Sequence, residues 1–103
     1  MKFDINVMIF SNSWTPWGDT DGCLCLASEP SVGDRIEPLC RHPVLRAALG
    51  EDAFWVTSVI EPVHDGGNRI VLCEYIVAKS AKAAEDALLV LERDFGFTRI
   101  PYN

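Results

Sequence analysis

Residues 53–78, AFWVTSVIEPVHDGGNRIVLCEYIVA, decide the fold class. Phe54, Trp55, Val56, Thr57, Val59 and Ile60 are aromatic or β-branched, the residue types enriched in strands. Asp65-Gly66-Gly67-Asn68 supplies the turn chemistry of a hairpin, and residues 69–78 return as the partner strand. Within that return, Cys73 lies in the apolar run Ile70-Val71-Leu72-Cys73 and reads as a small core residue. Trp55 is expected in the core as well.

Working outward toward the N-terminus, Phe3, Ile5, Val7 and Ile9 alternate, the period of a half-buried strand over residues 2–11. Met8 and Phe10 fall on its other face, which is therefore expected to be partly covered. Residues 12–22, rich in Ser, Pro, Gly, Asp and Asn, read as a loop. Cys23 to Ala27 reads as a second short strand. Pro30 to Asp34 reads as a turn into a third strand, Arg35 to Cys40. His42 to Gly50, with Pro43 at the start and Gly50 just past the end, has the asymmetry of a short helix.

Toward the C-terminus, Ser80 is a candidate N-cap. Ala81, Ala84, Leu88, Leu91 and Phe95 form an apolar stripe at helical spacing, and Gly96 is a natural stop. Phe97 to Ile100 supply an optional last strand. The expected class is α+β, in the order β-β-β-α-β-β-α with an optional final β. Short connections imply a mostly antiparallel sheet, strongly bent or a small open barrel, with the C-terminal helix packed on it. Ser31-Val32-Gly33-Asp34-Arg35-Ile36 resembles the turn-and-strand entry of small SH3-like barrels. Tyr75 to Ser80, with the alanine-rich run after it, resembles the strand-to-helix junction of many small bacterial and phage α+β proteins.

The 103 residues suffice for one domain, residues 1–103, and 49% hydrophobic content argues against disorder. Fifteen acidic against nine basic side chains leave a formal charge of −6. That balance disfavours direct nucleic-acid binding and docking on anionic membranes. Asp4 and Asn6 interrupt any signal-peptide apolar stretch, which predicts a cytoplasmic protein with free thiols.

Cys23, Cys25, Cys40 and His42 carry the ligand types of a zinc site, but Cys-x-Cys and Cys-x-His are spaced more tightly than usual structural pairs. Core packing of the cysteines and capping by His42 are the simpler readings, so no metal or other cofactor is expected. Cys40 with His64-Asp65 has the residue types of a thiol nucleophile and base, without a local motif that joins them. Asp19-Thr20-Asp21-Gly22 lacks the remaining ligands of a calcium loop. No phosphate-cradling glycine loop or nucleophile elbow occurs. The chain reads as a non-enzyme.

Trp14-Thr15-Pro16-Trp17 is the sharpest binding signal, because two tryptophans in a turn-rich loop are hard to bury together. With Asp19 and Asp21 they would make an aromatic patch with an acidic rim; the alternative is that one tryptophan folds back over the sheet to cover Met8 or Phe10. The expected function is a small acidic protein-binding domain, of the character of inhibitors and immunity proteins, docking on a basic partner through Trp14, Trp17, Asp19 and Asp21. The alternatives are a zinc- or thiol-dependent protein using Cys23, Cys25, Cys40 and His42, and a small-molecule-binding domain. Self-association is compatible with each.

Overall fold

The computed structural model describes residues 1–51, 53–62 and 64–100. β1 (Lys2–Phe10) and β2 (Pro16–Cys25) form an antiparallel hairpin. Two short helices follow, α1 (Glu37–Cys40) and α2 (Pro43–Leu49). β3 (Ser58–Ile60) and β4 (Ile70–Val77) are antiparallel, then come α3 (Ala81–Phe95) and β5 (Thr98–Ile100). The five strands make one mixed sheet in the order β3-β4-β1-β2-β5, with β1 and β4 parallel. Among the described residues its two edge strands do not pair with one another, so the α+β sheet is open rather than closed into a barrel.

Phe3, Ile5, Val7 and Ile9 of β1 are all buried, as are Val71, Cys73 and Ile76 of β4. They meet Ala84, Ala87, Leu88 and Leu91 of α3 and Leu39, Leu45 and Leu49 of the short helices in one hydrophobic cluster. The stripe of α3 is therefore real but shifted: Ala81 is exposed, while Ala87 and Val90 widen the buried face. Ser80 Oγ caps α3 by accepting from the Ala83 amide at 3.0 Å, and Gly96, at φ 71°, ends it. No helix among the described residues is long and apolar enough to cross a membrane.

Three expected segments differ. The loop expected over residues 12–22 is confined to the tip, and β2 begins at Pro16. Its glycines signal close approach rather than turning. A Cβ at Gly18 would overlap the Leu88 side chain, and one at Gly22 the Phe97 ring. Between them Thr20 is fully buried, its hydroxyl donating to the Val7 carbonyl at 3.3 Å. The third strand expected at Arg35 to Cys40 is only an isolated bridge, Arg35↔Trp55, before Pro38 at the first helical turn starts α1. Of the strand expected over residues 53–63, of which residue 63 lies outside the described residues, Ser58–Ile60 pairs with β4. Phe54 stands at φ 65°, its carbonyl accepting from the Ile36 amide, and the Val56 amide donates to the Asp34 carbonyl instead of to β4.

Candidate functional site

Among the described residues, the buried side chains of α1, α2 and α3 cluster with Ile5 and Val7 on one side of the sheet. Alternation along the strands puts the opposite set of side chains on a face that no helix among the described residues covers. Directly paired residues share a face, so that surface can be read as rows. One row runs Ile60, Ile70, Asp4, Cys23. The next runs Ser58, Leu72, Asn6, Asp21, Thr98. A third runs Met8, Asp19, Ile100. Met8 and Phe10, expected to be partly covered, are half-buried by their sheet neighbours and by Trp14 rather than by a further layer.

The centre of this face is acidic. The Asn6 side-chain amide donates to Asp19 Oδ1 at 2.6 Å and to Asp21 Oδ1 at 2.8 Å, holding two carboxylates of adjacent rows together. Burial pushes the Asp19 carboxyl above the usual carboxylate range; the Asn6 hydrogen bond opposes this, while the charges of Asp21 and Glu74 add to it. Glu74 belongs to a bulge. Val7 pairs with Cys73 and Ile9 with Ile76, so Glu74 and Tyr75 together oppose Met8 alone. Tyr75 takes up the extra residue at φ 60° and is left 64% exposed.

The two loop tryptophans separate. Trp14 is 59% exposed, its ring centroid 5.6 Å from that of Phe10. Its backbone, at φ 59°, is fixed by the Trp14 amide donating to the Ser11 carbonyl and by the Ser11 amide donating to Thr15, each at 2.9 Å. Trp17 lies beyond the last described β2–β5 pair, and its indole N–H donates to Glu85 Oε1 on α3 at 3.2 Å. Glu85 is also gripped by both Arg99 terminal nitrogens, at 3.1 and 2.9 Å. The Arg99 hydrogen bonds hold the Glu85 carboxyl below its ordinary value. Of the four expected partner-binding residues, Trp14, Asp19 and Asp21 belong to the uncovered face, whereas Trp17 is tied to the helix layer.

The four candidate metal ligands do not converge. Cys23 and Cys25 are exposed on β2, and Cys40 is buried with its thiol directed at the Ala53 carbonyl, 3.5 Å away. His42 caps α2, its Nδ1 accepting from the Val44 amide at 3.2 Å, and its Nε2 meets Asp94 Oδ2 at 2.8 Å. Among the described residues no three His, Cys, Asp or Glu side chains are grouped to hold a metal ion. Nor is Cys40 set up as a nucleophile: burial raises its pKa despite the nearby Arg35, and His64 is exposed at the distant hairpin turn. Cys73 is fully buried, and burial pushes its thiol up to about 12.

Sequence reasoning missed Asn6, Glu74 and Trp55. Asn6 shares the strand period of Met8 and Phe10, which was the available signal. Glu74-Tyr75 interrupts an otherwise apolar run, the mark of a bulge. Trp55, expected in the core, is 45% exposed with the Arg35 guanidinium 5.7 Å from its ring centroid. Compared with protein-family models, with curated proteins and with solved structures, the chain matches none.

Proposed function

We propose that this chain is a binding domain that docks on a basic protein through the uncovered face of its sheet. The observation that carries the reading is the Asn6-bridged pair of Asp19 and Asp21 on that face, with Trp14 and Phe10 beside it. An acidic centre draws a cationic surface at long range, and exposed aromatic area supplies the contact that holds it. Met8, Leu72 and the 40%-exposed Ile100 extend the apolar part of the same surface. The formal charge of −6 adds electrostatic steering toward a basic partner. Capture of this kind acts by occupying the partner's surface, as an inhibitor or immunity-type protein does, without a reaction of its own.

A synthetic amphipathic peptide of alternating lysine and leucine segments is the probe. Titration calorimetry is expected to show binding that weakens as salt rises. The triple variant Trp14→Ala, Asp19→Asn, Asp21→Asn is expected to bind at least about tenfold more weakly, since an interface aromatic alone is often worth over 1 kcal/mol. Equal affinity in the variant, or binding indifferent to salt, overturns the reading.

A further inference from the structure

Beside the β4 bulge lies a second feature, a cleft of about 320 Å³ between the C-terminal end of α2, residues 53–55 and β4. That size is at the lower end of small-ligand pockets, space for one side chain or a small amine rather than a cofactor. Two aromatic side chains line it and are exposed, Trp55 and Tyr75. Among the described residues its ionisable lining consists of Glu51, Glu74 and Tyr75, with no lysine, arginine or histidine. Glu51 meets Arg46 at 2.9 Å on the rim, while half-buried Glu74 has no ion-pair partner among the described residues. A carboxylate in that setting beside aromatic faces is complementary to a cation that also presents apolar carbon.

The backbone is consistent with a built cleft. Phe54 and Tyr75, both lining it, stand at φ 65° and 60°, a region that costs bulky side chains energy and that recurs where a ligand is clamped. Trp55 already accepts one cation, Arg35, which does not line the cleft.

We infer that the cleft formed by Glu51, Trp55, Glu74 and Tyr75 takes an organic cation, the alkylguanidinium or alkylammonium head of an arginine or lysine side chain. The inference deepens the proposed function: a docked basic partner would insert one such side chain here, next to the acidic sheet face through the shared Glu74. No bond is made or broken.

The test is a titration of the ¹⁵N-labelled full chain with N-acetyl-arginine amide, with the neutral N-acetyl-citrulline amide as control. Saturable shifts are expected at the Trp55 indole N–H and at the Glu51 and Tyr75 amides with arginine and not with citrulline. Trp55→Leu and Glu74→Gln, each checked for an unchanged fold by its remaining spectrum, are expected to weaken binding about tenfold. Free arginine and an arginine within the lysine-leucine peptide are compared, so that a small-amine site and a partner-side-chain site are told apart. The variant Asp19→Asn, Asp21→Asn is expected to leave the small-probe titration within twofold, so failure of the sheet-face reading is seen separately. Equal shifts with citrulline, non-saturating shifts across the acidic surface, or insensitivity to Trp55→Leu and Glu74→Gln overturn the inference.

Discussion

The two faces of β2 are built on opposite terms. Toward the helices, Gly18, Thr20 and Gly22 give up side-chain bulk so that Leu88 and Phe97 can rest on the strand. Away from them, Asp19 and Asp21 converge on Asn6 although nothing among the described ion pairs neutralises them. Carboxylates in the helix layer are treated differently: Glu85 is held by Arg99 and by Trp17. One side of the strand is satisfied within the chain, and the other keeps carboxylates without an ion pair among the described residues and exposed aromatic surface, which the proposed binding requires. Native folds tolerate such departures from local optimum where they bind.

Substitutions on the two sides should therefore differ in kind, beginning with the largest effect. Ile5→Ala, in the buried cluster, is expected to lower stability in urea by about 2–5 kcal/mol, whereas Met8→Ala on the same strand should cost no more than about 1 kcal/mol. Similar losses at both positions would mean that the second face is also packed. Gly22→Ala is expected to cost about 1–3 kcal/mol, since the Phe97 ring must move. An unchanged melting temperature would show that β2 stands farther from the Phe97 ring.

The pH dependences should run in opposite directions. Asp19 has a raised pKa in the folded chain, so its ionisation costs stability as pH climbs through that value. Asp19→Asn should thus become more favourable, relative to the unchanged chain, between acidic and neutral pH. Glu85 has a lowered pKa, so its contribution is present above the unfolded value and is lost as pH falls through the folded one. Glu85→Gln should destabilise at neutral pH and converge on the unchanged chain in acid. Parallel trends for the two variants would remove the contrast. The smallest effect is expected at the bulge: Tyr75→Asn should stabilise by roughly 0.5–1 kcal/mol through relief of the left-handed backbone, and a loss of stability there would indicate that the ring is packed.

The covered face was the legible one. Alternation in β1, the capped stripe of α3 and the helix Pro43–Leu49 follow from short-range periodicity and caps, which the sequence displays directly. The sheet order was not, because the parallel β1–β4 pairing joins segments whose neighbourhood depends on how α1 and α2 pack. Gly18 and Gly22 misled for a related reason: a glycine that makes room for a distant ring carries the same letter as one that turns the chain. On the uncovered face, Asp19, Asp21 and Trp14 stand out in the sequence by residue type. That Trp17 would leave them for Glu85, and that Asn6 and Glu74 would join them, depends on register and on one bulge.

The most direct test of the uncovered face compares two positions bearing a photo-crosslinking side chain in the cells that make the protein. One replaces Met8 among the acidic rows, and the other replaces Leu89, the exposed leucine of α3. The account predicts an adduct from the Met8 position with a basic protein, of isoelectric point above about 9, that disappears when Asp19 and Asp21 are both changed to asparagine. Adducts from Leu89 alone, or a Met8 adduct with an acidic protein or with another copy of this chain, would contradict it.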